Sequence, residues 1–177
     1  MTWSTYVDAV RIDGRDRFYL QRVNDRLSGE HPVLRSESGN VAWYETDAEA
    51  RGAAYWLGEP LQEDHRVEPL DLDAALAWTE HPRAEGLDYG LLMGAWHTLA
   101  TLGVTREPPV VLEKNDPDWL LGEVGDKVHI GYDAMSNPKS TFTVPEWSVD
   151  ELALLANTLR EGLRRLTSDP GLLGSER

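Results

Sequence analysis

Thr5-Tyr6-Val7-Asp8-Ala9-Val10-Arg11-Ile12, then Asp13-Gly14-Arg15-Asp16, then Arg17-Phe18-Tyr19-Leu20-Gln21-Arg22-Val23, is the stretch whose reading decides the fold. Tyr6, Asp8, Val10 and Ile12 partly alternate with their neighbours, the period that turns successive side chains to opposite faces of a strand. Asp-Gly between two such runs is the dipeptide of a tight hairpin, because both turn residues need positive φ. A second hairpin is expected from Pro32-Val33-Leu34-Arg35 and Asn40-Val41-Ala42-Trp43-Tyr44, joined through Ser36-Glu37-Ser38-Gly39. The two together predict an N-terminal antiparallel sheet of three or four strands. Thr46-Asp47-Ala48-Glu49 then forms a capping box, in which hydroxyl and carboxylate satisfy backbone donors at a helix start. The helix should run through Tyr55 or Leu57 and lay Ala50, Ala53, Ala54 and Leu57 on the sheet, with Gly58-Glu59-Pro60 as its stop.

Working outward from this sheet, the chain turns helical. Residues 59–69 read as a polar connection with a short edge strand near Val67. Asp71 or Asp73 caps a short helix that carries Leu72, Ala75, Leu76 and Trp78 and is closed by His81-Pro82. The next helix spans about Asp88 to Leu102, with Leu92, Trp96 and Leu99 on one face and Gly103 as its stop. Residues 104–147 are rich in Pro, Gly and Asp and offer only short elements at Val110–Glu113, Trp119–Glu123 and Val128–Tyr132. Ser148-Val149-Asp150-Glu151 is a second capping box, and Leu152, Leu155, Leu159, Leu163 and Leu166 repeat at helical spacing behind it. The expected fold is therefore α+β: the sheet with one helix, then a helical part ending in a long C-terminal helix. One domain is expected over 1–169, with 170–177 as a flexible tail.

At 177 residues, with 41% hydrophobic side chains and no cysteine, a core is expected to form without disulfides or thiolate metal sites. The lack of cysteine suits a reducing, cytoplasmic setting, and neither secretion nor membrane spanning is expected from a start without a basic, then apolar run and a sequence without 18 consecutive apolar residues. The charge is −14, and 19 of the 31 acids fall in residues 59–151 beside only 6 of the 17 bases. Such a chain repels phosphates and anionic lipid, so neither direct nucleic-acid binding nor membrane binding is expected. An acidic face instead suits a basic protein partner, with electrostatic steering of the encounter; solubility is the bland alternative.

Partner contacts are expected at Asp116, Asp118, Trp119 and Glu123, where acids flank an aromatic residue of the kind that interface hot spots use. A cleft near Trp96 and His97 is the candidate for a small enzyme or ligand binder, and carboxylates spaced like phosphates would make a DNA-mimicking inhibitor. The pairs Asp71/Asp73 and Asp116/Asp118 read locally, the first as helix capping and the second as Asp-Pro-Asp turn chemistry. No two of the five histidines are spaced i, i+2 or i, i+4, and neither a Gly-x-Ser-x-Gly elbow nor a Gly-rich phosphate loop occurs. No catalytic residue, metal or cofactor is therefore expected.

Leu70-Asp71-Leu72-Asp73-Ala74-Ala75-Leu76-Ala77-Trp78, Leu91-Leu92-Met93-Gly94-Ala95-Trp96-His97-Thr98-Leu99 and Pro145-Glu146-Trp147-Ser148 carry a resemblance. Over residues 65–166 the chain is similar to a group of small uncharacterised bacterial cytosolic proteins. These combine a leucine-rich helix, a Trp-Asn pair followed by an acidic residue, and a Pro-Glu-Trp start to the C-terminal helix. His97 stands where the group has Asn, and Thr101 where it has Asp. By size and charge, the resemblance implies proteins akin to the immunity proteins of bacterial toxin systems, hence an inhibitor of a basic toxin or effector.

Overall fold

The computed structural model describes residues 3–24, 32–37, 39–62, 67–106 and 118–168. The chain is α+β: a three-stranded sheet at the N-terminal end, then helices, the last of them long. It divides into two compact units, one of Met1–Asp73 with Arg165–Arg177 and one of Ala74–Arg164.

In the first unit, β1 (Trp3–Ile12) and β2 (Arg15–Asn24) form the predicted hairpin, with Ile12 opposite Arg15 across a two-residue turn. Asp13 (φ 51°) and Gly14 (φ 70°) both take the positive φ that such a turn demands. Their backbone N–H groups both donate to the carboxylate of Asp73, each at 2.8 Å. Asp73 therefore holds the hairpin turn with both carboxylate oxygens, and because it lies within the first turn of the helix over 72–80 it is not the cap of the Asp71/Asp73 pair.

The predicted second hairpin lies along the outer edge of β2 as short bridges, Gln21 with Val33, Phe18 with Tyr44 and Arg35 with Val41, all antiparallel. The other edge of β1 is taken by β3 (Leu70–Asp71), parallel, so the sheet order is β2-β1-β3 and the sheet is mixed. Leu61 adds a parallel bridge to Thr5. The edge strand thus lies a few residues beyond the expected Val67. As the central strand, β1 is buried on both faces at Ala9 and Val10, while nearer its start the odd positions Thr5 and Val7 are the buried ones. That explains why its alternation is imperfect in the sequence.

The α1 helix (Asp47–Trp56) starts at Thr46, whose hydroxyl accepts from the Glu49 N–H at 3.2 Å, and Glu49 in return accepts from the Glu45 N–H. Ala50 and Ala54 are fully buried with Val7 and Leu20, with Phe18, Leu34, Tyr44 and Ala53 packed around them. Alanines let the helix lie close to the sheet. Leu57, expected on this face, is instead 61% exposed, because the helix ends at Trp56 and Gly58 (φ 69°) turns the chain away.

The helices that follow include α2 (Leu72–Glu80) and α3 (Tyr89–Thr101). Asp88 caps α3 by accepting from the Leu91 N–H at 2.9 Å, and Gly103 (φ 79°) follows its end. Leu92, Trp96 and Leu99 form the expected buried stripe. Residues 119–136 are a single helix, α4 (Trp119–Ser136), not the two short elements expected at Trp119–Glu123 and Val128–Tyr132. Three glycines inside it, at 122, 125 and 131, lower its helix propensity, yet all three are buried, and at Gly131 a Cβ would meet the Tyr89 ring. The element expected at Val110–Glu113 and the tail over 170–177 lie outside the described residues.

Helix α5 (Val149–Ser168) buries all five predicted leucines. Its capping box is formed in full: the Ser148 N–H and hydroxyl donate to Glu151 at 2.8 and 2.9 Å, and the Ser148 oxygen accepts from the Glu151 N–H. Among the described residues, no helix is long and apolar enough to cross a membrane.

Candidate functional site

The surface to be tested for binding lies at the start of α4. Because 119–136 is helical, Trp119, Glu123 and Asp126 follow one another at i, i+4 and i+7 and share one face. Trp119 and Glu123 are half-buried and Asp126 is exposed. Neither Glu123 nor Asp126 makes an ion pair among the described residues. Asp118, just ahead of the helix, is different: its Oδ2 accepts from Arg106 Nη1 at 3.1 Å, and its side chain makes no cap. The structure thus brings Trp119 and Glu123 together, gives Asp118 a cation of its own, and adds Asp126, which sequence reading missed. The i, i+7 relation to Trp119 was present in the sequence but has meaning only on a helix. Asp116 lies outside the described residues.

Trp96 is 1% exposed, and its indole N–H donates to the Arg106 carbonyl at 3.0 Å, so it belongs to the core. His97, half-buried on α3, meets His129 of α4 edge to face with ring centroids 5.1 Å apart. This pairing across two helices is invisible to a search for local histidine spacing. Among the described residues, no three histidine or acidic side chains are placed to hold one metal ion.

A cleft of about 470 Å³ lies elsewhere, between the turn into α3 and the last turns of α4. Gly86, Asp88, Tyr89 and Gly90 line one side, and Tyr132 and Met135 the other. Tyr89 is buried and Tyr132 is 41% exposed, while Met135 is 65% exposed. Behind the cleft, Tyr89 Oη accepts from the Trp147 indole N–H at 2.9 Å. Lys127 in turn lies 5.7 Å from the centre of the Trp147 ring and donates to Glu151 at 2.5 Å and to the Glu146 carbonyl at 2.8 Å.

Among the described residues, three carboxylates are held below their ordinary range. For Glu59 the hydrogen bond from Arg22 is the main cause, and Thr5 adds a second against the opposing effect of burial. For Glu151 burial is the largest single effect and acts upward, but the combined hydrogen bonds from Lys127 and Ser148 outweigh it. Asp133 is lowered by hydrogen bonds from the Ser140 hydroxyl and the Asn137 amide. All three carboxylates are tied into the fold, which sets them apart from Glu123 and Asp126. Compared with protein-family models, with curated proteins and with solved structures, the chain gives no match in any of the three.

Proposed function

We propose that the chain is an acidic protein-binding module whose partner is a basic protein, engaged through residues 74–164. The observation that carries this reading is the face of Trp119, Glu123 and Asp126 on α4. There an aromatic side chain stands one and two helical turns from carboxylates that no cation of the described residues neutralises. Residues 74–164 hold 14 acids against 7 bases, a net negative charge of the sign that attracts a cationic partner. Aromatic anchors beside complementary charge are what protein interfaces use for affinity and encounter rate respectively. In its finer form the reading makes the partner a basic toxin or effector that this chain inhibits.

The test is capture of partners from the native host on immobilised protein, with Glu123→Lys/Asp126→Lys as the comparison. A basic protein retained by the parent and lost from the reversed variant is expected, with both baits equally folded by circular dichroism. Retention of the same partners by both baits would overturn the assignment of this face. Co-expression with the captured partner tests the inhibitor form: relief of the partner's toxicity or activity is expected, and no relief would reject inhibition.

A further inference from the structure

We infer that the cleft between the α3 start and the α4 end receives an arginine side chain of the basic partner. The inference rests on the reading above and names the site and the group. Its volume, about 470 Å³, falls among sites that enclose small ligands, roughly 300–1,000 Å³. Gly86 and Gly90 add no side chain to the wall that carries Asp88 and Tyr89, and a Cβ added at Gly90 would come within 3.6 Å of the Tyr132 ring. The ring thus packs against the Gly90 backbone along one edge, and the exposed remainder of Tyr132 is what the cleft offers to an occupant. The Tyr132 face and the exposed Met135 offer a surface for the apolar stem and for a planar cation.

The electrostatics choose the sign of the occupant. Asp88 spends Oδ1 on the Leu91 N–H, and its Oδ2 makes no hydrogen bond among the described residues. Its full negative charge more than offsets the positive end of α3, which has no other acid in its first turn. From the opposite wall comes the C-terminal end of α4, whose last turn carries no basic residue to balance its partial negative charge. None of the lining residues is basic. A guanidinium, flat and with five donors, can stack on Tyr132 while donating to Asp88 and to carbonyl oxygens of the α4 end; an ammonium lacks the flat face.

The experiment is a titration of isotope-labelled protein, followed by amide chemical shifts, with the blocked tripeptide Gly-Arg-Gly and its citrulline and lysine counterparts. Saturable shifts at Gly86, Gly90, Tyr132 and Met135 are expected with arginine. Losing one charge-assisted hydrogen bond weakens binding about tenfold, so citrulline should bind at least that much more weakly. Asp88→Asn, which still caps the helix, should lose about the same factor at unchanged thermal midpoint. Tyr132→Ala should weaken arginine more than lysine. Shifts absent from the cleft, or equal affinity for arginine and citrulline, or for arginine and lysine, would overturn the assignment. If the captured basic partner loses affinity with Glu123→Lys/Asp126→Lys but not with Asp88→Asn or Tyr132→Ala, the arginine site is rejected and the wider reading stands. If no basic protein binds at all, the wider reading fails while the tripeptide titration still decides the cleft.

Discussion

Gly131 stands directly against the ring of Tyr89, so close that a Cβ at position 131 would overlap the ring carbons. The glycine that weakens α4 as a helix is thus the residue that lets α4 meet α3. Replacing Gly131 by Ala sets two effects against each other. Ala gains about 1 kcal/mol of helix propensity, but forcing a methyl into a packed site typically costs about 1–3 kcal/mol. Tyr89 is 4% exposed and held through its hydroxyl by Trp147, so it has little room to yield. Gly131→Ala should lower the thermal midpoint despite the better propensity, as read by circular dichroism melting. A higher midpoint would show that the ring moves aside at little cost.

At the start of α5, Ser148 makes a reciprocal pair with Glu151. Ser148→Ala should destabilise the protein by about 0.5–2 kcal/mol, and Ser148→Asn, which caps equally well, should be nearly neutral. Urea denaturation of both variants checks this. Equal losses would mean that the serine hydroxyl has a role other than capping.

Glu59 and Glu151 are held below their ordinary value near 4.5 in the folded chain. A carboxyl depressed on folding contributes stability that is present above its unfolded pKa and is lost as pH falls through the folded one. Stability should therefore decline on acidification from about pH 5 downward. Glu59→Gln and Glu151→Gln should each be less stable at neutral pH and show a shallower decline. Denaturant midpoints measured from pH 7 to the acid limit test it, and variants that run parallel to the parent would contradict it.

How far the sequence reveals this fold depends on where the signals are local. Helices α3 and α5 are legible because a cap, a 3.6-residue stripe and a stop all agree: Asp88, Leu92/Trp96/Leu99 and Gly103 in one, Ser148 with five leucines in the other. Helix α4 conflicts with itself. Gly122, Gly125 and Gly131 beside Val124, Val128 and Ile130 suggest breaks and strands, and the contact that justifies Gly131 comes from Tyr89, 42 positions earlier. Asp73 misleads for the same reason, since the hairpin turn it binds lies 59 and 60 residues away. The candidate surface is half legible. Trp119 and Glu123 stand out by type, but Asp126 joins them only once the segment is a helix, and the Tyr132 cleft exists only once α3 and α4 are paired.

The central claim is that carboxylates on α4 steer a basic protein partner to this chain. Its most direct test is the association rate constant of the captured partner, by surface plasmon resonance, for the parent and for Glu123→Lys/Asp126→Lys across a salt series. Raising salt from about 0.01 to about 0.15 M shortens the screening length from about 30 to about 8 Å. The parent's association rate should fall steeply over this range. The variant should associate more slowly than the parent at low salt and fall less steeply as salt rises, with dissociation less affected than association. Association rates that match between parent and variant and ignore salt would contradict the claim.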